Sequence, residues 1–382
     1  MHKRKHVLII SSLFLPHLGG VEQYTHSIAS ALGTDHKVTV FCLNTENQPA
    51  EADFDDFSVQ YLPCYPAFQG RLPIPKISAL RSLASYCAAH PIDFAVIQNR
   101  LYPLNLGAAS RFKKKKIPHI LIEHGTGHID YGSRGINLLW KVYEHAITLG
   151  FRRFTQAYYG VSRASLEWLN HFGIRGQGIL HNGISPQNFR GIEPFNRGKF
   201  SVPPEAFIIA FAGRIIREKG VPVLLQAFAE YQPENVHLVI AGSGDMDLVQ
   251  PWQSDPAIHF TGQLTHPELL SLLSECSLFC LPTMYPEGLP TVILEAGFFG
   301  KPVITTNAGG ISDVIRDQET GWFVTPGDTE NLRRAIQSLM ENAAERERLG
   351  GNLQKLVQSE FTWEKILLKL KKIMDSMCGA AL

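Results

Sequence analysis

The stretch "YPEGLPTVILEA" (285–296) carries two glutamates eight positions apart, Glu287 beside a glycine and Glu295 among residues that otherwise read as core. An ionised carboxylate is costly to bury without a partner. Glu295 therefore either faces water from one side of a helix or accepts hydrogen bonds from a group that supplies them. Carboxylates only accept, and the vicinal hydroxyls of a ribose or a hexose are suitable donors. Eight residues span a little over two helical turns, so both carboxylates could address one side. The amides of Gly288 and Leu289, read as opening this helix, could hold phosphate oxygens. A packing role for Glu295 would need some other donor inside the protein.

Other stretches share the form of a strand, a turn and a helix start. In "FAGRIIREKGVPVLLQAF" a strand ends at Gly213, and Arg214 and Lys219 occupy the loop that follows. A guanidinium fork and an ammonium point charge suit a diphosphate there, although a solvated basic loop uses the same residues. "LVIAGSGDM" puts Gly242 and Gly244 at another strand end, and "TTNAGGISDV" repeats the pattern. Near the start, "LPHLGGVEQYTHSIA" places Gly19 and Gly20 before an amphipathic helix, either as a plain turn or as an approach to an anion or sugar. Each glycine pair alone marks a turn. Several on one sheet edge favour a ligand cleft.

These loops must be held by strands and helices. Apolar runs "HVLII", "KVTVF", "FAVIQ", "HILIE" and "AYYGV" alternate with helical stretches in the first half. "FIIAFAG", "VHLVIAG", "IHFTG", "LFCLP" and "PVITT" do so in the second. That alternation predicts an α/β protein with two Rossmann-like, doubly wound parallel sheets facing across a cleft. Ligands in such sheets bind outside the carboxyl ends of the strands. The Gly-, Pro- and Asn-rich segment 181–207 reads as a linker, with the boundary near 193. The expected domains are 1–193 and 194–362, followed by an amphipathic helix in 363–382.

The chain has 382 residues, 45% apolar and 19% charged, with a formal net charge of +1. This is a globular balance with no bulk attraction for nucleic acid. Six scattered cysteines without a CxxC pair suit a reducing compartment and speak against a zinc or disulfide framework. "MHKRKHVLIISS" lacks a cleavage site and reads as a first strand rather than a signal peptide. No apolar run reaches the roughly 18 residues of a membrane span. A cytoplasmic protein is expected.

The ordered set "FAGRIIREKG", "LVIAGSGD", "EGLPTVILEAGFFGKPVITTNAGGISDVI" and "TGWFVTPGD" resembles the retaining GT-B-fold glycosyltransferases of family 4. The match is dense over 207–328 and looser in the first half, through "HLGGVEQYTHSIASAL", "EHGTGH" and "GVSRASLEWL". The resemblance implies that Glu295 binds the ribose of a nucleotide-sugar and Glu287 the hexose near the reacting carbon. It implies that Arg214 and Lys219 neutralise the diphosphate, and that Gly19 and Gly20 lie against donor phosphates and acceptor. His124 matches a histidine close to the transferred sugar, with His128 as a substitute. Asp313 stands where a glutamate is more common. The final helix would cross back onto the first domain. The implied reaction is metal-independent, retaining hexosyl transfer from a UDP- or GDP-sugar such as GDP-mannose. Its acceptor would be a glycan or lipid-linked, as in polysaccharide or lipopolysaccharide biosynthesis. No cofactor is expected.

Acceptor recognition falls to the first half. "INLLWKVYEHAITLGFRRF" (136–154) repeats apolar residues with a helical period beside Lys141, Arg152 and Arg153, and "RFKKKK" (111–116) adds cations. These residues could seat the protein peripherally on an anionic membrane, or form a core helix and a solvated lysine loop. Rival functions are a GT-B-like epimerase or phosphorylase and a non-catalytic partner subunit. The epimerase would not need the paired glutamates, and intact Arg214, Lys219, Glu287 and Glu295 argue against the subunit.

Overall fold

The computed structural model describes residues 4–17, 19–67, 72–128, 133–231 and 234–379. They divide into two compact units: one holds residues up to Asn182 together with the segment from Trp363 onward, the other Gly183–Thr362.

The first unit is built on His6–Ile10 (β1), Lys37–Leu43 (β2), Glu51–Asp53 (β3), Ser58–Leu62 (β4), Phe94–Gln98 (β7), His119–Glu123 (β8), Tyr158–Gly160 (β9) and Gly178–Ile179 (β10). A small separate ladder pairs Cys64–Tyr65 (β5) with Ile74–Pro75 (β6). The main sheet runs β10-β9-β8-β7-β1-β2-β4-β3. Only the edge strand β3 is antiparallel. Val7 pairs with Val38 on one side and Phe94 on the other, placing β1 at the centre. Successive side chains of a strand point to opposite faces. Val7, Ile9, Val38 and Val40 thus feed one core, and Leu8, Ile10, Phe41 and Leu43 the other.

The second face is covered by Ile77–Ala89 (α2), Pro103–Lys115 (α3), Arg134–Phe154 (α4) and Arg163–His171 (α5). The first face receives Gly20–Gly33 (α1) and the last helix, Trp363–Gly379, labelled α11 below. Trp363, Ile366, Leu370 and Met374 of that helix are buried there with Tyr24, Ile28 and Leu32 of α1.

The second unit contains Phe207–Ala212 (β11), Val236–Ala241 (β12), Ile258–Gly262 (β13), Leu278–Leu281 (β14), Val303–Thr305 (β15) and Trp322–Phe323 (β16). Its all-parallel order is β13-β12-β11-β14-β15-β16. The strand order reverses between β11 and β14, the switch point at which doubly wound sheets bind ligands. Val221–Ala229 (α6) packs with Thr329–Glu341 (α9), and His266–Glu275 (α7) and Ala343–Glu360 (α10) pack with Thr291–Phe298 (α8).

Segment 183–193 belongs to the second unit, so the division falls at 182/183 rather than near 193. Its linker composition is deceptive. Ile184, Phe195, Val202 and Ala206 are buried in the second core. Phe195 N–H donates to Glu275 at 2.8 Å, and Arg197 pairs with the same carboxylate at 2.8 Å. The lysine cluster 113–115 is also not a loop. It forms the last turn of α3, where cations complement the helix dipole.

Candidate functional site

In the second unit the carboxyl ends of β11 and β14 carry the basic loop and the glutamate loop. Lys219 ends the short 3-10 turn Arg217–Lys219, and Gly220 follows with φ +75° as the chain turns into α6. A side chain at 220 would also collide with the Pro282 carbonyl just after β14, so glycine is required twice over. This close approach brings the loops together. The amides of Met284 and Tyr285 donate to the Glu218 carbonyl at 2.7 and 3.0 Å.

Lys219 Nζ forms an ion pair with Glu287 Oε1, and their side chains are only 14% and 12% exposed. Thr283 Oγ1 donates to the same oxygen at 3.2 Å. The Glu287 carbonyl is fixed by Gly310 N–H at 2.8 Å. Arg214 is exposed, and its side chain has no hydrogen bond or ion pair among the described residues. One cation is held and the other is free.

Gly242 has a structural reason for being glycine: with φ +147°, any Cβ would strike the Gly213 carbonyl, and its N–H donates to Gly262 at 2.9 Å. The tight seam holds the ends of β11 and β12 together, while the β12–β13 pairing slips by one residue between Ile240 and Ala241.

Gly288 and Leu289 do not open the helix. α8 starts at Thr291 with Pro290 as its N-cap. Pro286 and Pro290 push the residues before them out of helical geometry, so the loop runs on to the second proline. Glu287 therefore lies outside the helix that carries Glu295, and their spacing is not helical. Glu295 is 7% exposed, and His266 Nε2 lies 2.9 Å from its Oε1. Hydrogen bonding to Glu295 raises the His266 pKa above its ordinary 6.5. The internal donor that a packing role required is present. The sequence reading missed it, and a histidine opening "HPELL" carries no mark of its distant partner.

In the first unit, Gly19 is the extended N-cap of α1 and Gly20 its first residue. A side chain at 19 would meet the Glu22 carboxylate, whereas one at 20 would meet nothing within 4 Å. The fold itself therefore sets no steric demand for glycine at 20. Glu22 is buried, and desolvation raises its pKa.

His124 follows β8. Its Nε2 lies 2.7 Å from Gln98 Oε1, and its amide donates to Asn99 Oδ1 at 3.1 Å. Burial pushes its pKa down to about 3, so the ring is neutral at physiological pH. A neutral ring bonded in this way carries its proton on Nε2 and keeps Nδ1 as an acceptor. Tyr24 stands edge-on to His124 at 4.9 Å, and Trp363 of α11 edge-on to Tyr24 at 5.1 Å. The last helix thus supports the histidine from behind.

His128 has different neighbours. Its Nδ1 bonds Glu144, whose other oxygen accepts from the fully buried Arg100 at 2.8 Å. Arg100 also lies 3.0 Å from buried Glu123. The structure thus separates the two histidines of "EHGTGH" by partner. The described residues include no helix long and apolar enough to cross a membrane.

The model of the family described as Glycosyl transferases group 1 matches residues 193–356, and that of Glycosyltransferase Family 4 matches 18–188. The chain belongs to glycosyltransferase family 4. An uncharacterized glycosyltransferase of Methanocaldococcus jannaschii is 23% identical over 97% of this chain and 98% of its own. A sucrose-phosphate synthase structure from Thermosynechococcus elongatus superposes with a TM-score of 0.80 at 21% identity, covering 99% of this chain and 100% of that one. HepE of Anabaena, solved in complex with UDP-glucose, gives 0.74 at 19% identity, covering 97% and 99%. The fold of this glycosyltransferase is GT-B.

Proposed function

We propose that this glycosyltransferase moves a hexose from a nucleotide-diphosphate sugar to a glycan or lipid-linked acceptor. The reading favours a UDP-sugar and retention at the anomeric carbon, with no metal in the transfer step. The observation that carries it is the Lys219–Glu287 pair at the switch point, with unpartnered Arg214 on the same basic loop. The UDP-glucose bound by the Anabaena relative supports the donor class.

Breaking the anomeric C–O bond leaves an oxocarbenium-like sugar and a nucleoside diphosphate. Fixed charge aimed at the departing group is usually the largest catalytic term. Lys219 and Arg214 supply two positive charges, which a diphosphate would otherwise take from a metal. On donor arrival Lys219 turns towards phosphate, and Glu287 is released to accept from a sugar hydroxyl. Neutral His124 offers a hydrogen bond to the sugar without adding charge beside the cationic transition state. Open space at Gly20 admits the donor phosphates or the acceptor, and Glu295 holds the ribose diol. The acceptor hydroxyl attacks from the face the diphosphate leaves, which takes its proton.

The test is calorimetric binding of UDP-, GDP- and ADP-sugars in EDTA, followed by NMR of the product anomer. Micromolar binding of one donor and a retained anomeric configuration are expected. An inverted product, dependence on a divalent cation, or release of an epimer without acceptor would each overturn this reading.

The acceptor side of the proposal rests on α4. Trp140, Ile147 and Phe151 are buried, whereas Ile136, Leu138, Leu139, Val142 and Leu149 are exposed, Leu139 to 73%. Ile136 and Leu139 share the helical period of the buried residues but lie on the exposed side. Lys141, Arg152 and Arg153 flank the exposed ridge. Apolar side chains edged by cations fit an anionic bilayer surface, where a lipid-linked acceptor would reside. The protein is expected to float with phosphatidylglycerol vesicles, and Leu138→Ser/Leu139→Ser/Val142→Ser to remain below. Equal sedimentation of both would remove the membrane and leave the donor chemistry untouched.

A further inference from the structure

We propose that His128, His145 and His171 form a transition-metal site, with zinc as the first expectation, separate from the transfer chemistry. One ring nitrogen from each lies within 4.8 Å of the other two. Zinc–imidazole bonds of about 2.0–2.1 Å require nitrogens roughly 3.4 Å apart in a tetrahedral complex. The remaining closure is a rotation of exposed rings: His145 and His171 are both open to solvent.

Three elements supply the ligands. His128 lies in the loop after β8, His145 on α4, and His171 is the last residue of α5. The orientation of His128 is set by its Nδ1 bond to Glu144, leaving Nε2 free to ligate. A carboxylate on the far nitrogen is the usual support of a metal-bound imidazole, fixing its tautomer and raising its basicity. Glu144 is itself held by Arg100 at 2.8 Å. His171 is stacked on Trp168 at 4.9 Å, which fixes its ring plane. The ring nitrogens of His145 and His171 make no hydrogen bond within the described residues.

A solvated aromatic cluster around Arg100 would also gather these rings. Buried Arg100 calls for the Glu144 charge in either case; what such a cluster does not require is one ring nitrogen from each histidine within 4.8 Å of the other two. Three imidazoles without a thiolate suit zinc, copper, nickel or cobalt rather than calcium or magnesium. Beside His145 and His171 a cavity of about 300 Å³, also bordered by Arg152 and Phe172, leaves room for a fourth ligand. An occupied site would clamp the loop that begins at His124 to α4 and α5.

The proposal does not depend on the transferase reading, and its test does not use turnover. Tag-free protein, stripped with chelator and dialysed, is titrated with ZnCl2 by calorimetry and with CoCl2 by visible absorption. One equivalent of zinc and the intense d–d bands of tetrahedral cobalt are expected, with a higher Tm. His145→Ala/His171→Ala changes only exposed side chains, so it should fold. It should weaken zinc by at least the ~10–100-fold that loss of a mere supporting group costs. His90→Ala, outside the cluster, should bind as the parent does. No stoichiometric zinc in the parent, or equal affinity in the double variant, would overturn the site.

Discussion

Lys219→Met is expected to lower kcat by about 10²–10³-fold, the loss seen when one preorganised group facing transition-state charge is removed. The substitution also strands Glu287, whose carboxylate is 12% exposed and whose charged partner is Lys219. Leaving a buried charge unpaired costs up to about 3 kcal/mol, so a fall in Tm accompanies the fall in rate. The double variant Lys219→Met/Glu287→Gln separates the effects. Without the carboxylate's charge the fold regains most of its stability, and turnover stays below that of Glu287→Gln alone because no ammonium meets the leaving diphosphate. If Lys219 served only to satisfy Glu287, the double variant would turn over as fast as Glu287→Gln. Single-turnover rates and thermal melts on the parent, the two single variants and the double variant decide between these outcomes.

Glu295→Ala carries the second large effect, this time on donor affinity. A hydrogen bond to a charged group is worth about 1.5–3 kcal/mol, so Kd for the nucleotide-sugar should rise about 10- to 150-fold. The His266 contact makes the control essential. The side chain of His266 is 45% exposed, so its pair with Glu295 contributes at most about 1 kcal/mol to stability. The folded-state pKa of His266 is raised above 6.5, chiefly by the Glu295 hydrogen bond. Its contribution is therefore fully present below 6.5 and fades as pH climbs through the raised value. The Tm advantage of the parent over His266→Ala should shrink between pH 6 and pH 8. Donor Kd should survive His266→Ala and fail in Glu295→Ala. A Tm loss in Glu295→Ala with unchanged Kd would make the glutamate a packing residue and retire its ribose role.

The parts of this chain that could be read from sequence are those where local pattern and tertiary place agree. Fully apolar runs such as "HVLII" and "FIIAFA" became central parallel strands, because a strand covered on both faces has no polar side. Arg214, Lys219 and Glu287 could be singled out because strand ends point to a ligand edge, and the structure pairs two of them, Lys219 and Glu287. The rest depended on distant partners. His266 meets Glu295 across 29 positions, and no spacing rule covers that. In α10, Gly350–Gly351 lowers the local helix propensity, yet Gly350 is where the helix lies against the Gly300 carbonyl. α3 was missed because its last turn is a lysine run. For α4 both a membrane ridge and a core helix stayed open, because periodicity finds a helix but not which of two apolar stripes faces the core. The three-histidine cluster joins a loop and two helices that only the sheet topology brings together.

The place of α11 has a consequence for how the chain comes off the ribosome. The apolar face of α1, with Tyr24, Ile28 and Leu32, is completed by Trp363, Ile366, Leu370 and Met374. All of Gly183–Thr362 must be synthesised before those residues emerge. At ~5–20 residues per second that is a wait of roughly 10–40 s. During this interval the amino-terminal sheet has one face covered by α1 alone, and Tyr24, which backs His124, lacks its neighbour. The amino-terminal half of the enzyme is translated first and finished last. A fragment ending at 182 carries the same bare face permanently, and becomes a faithful minimal unit only with 363–379 grafted on.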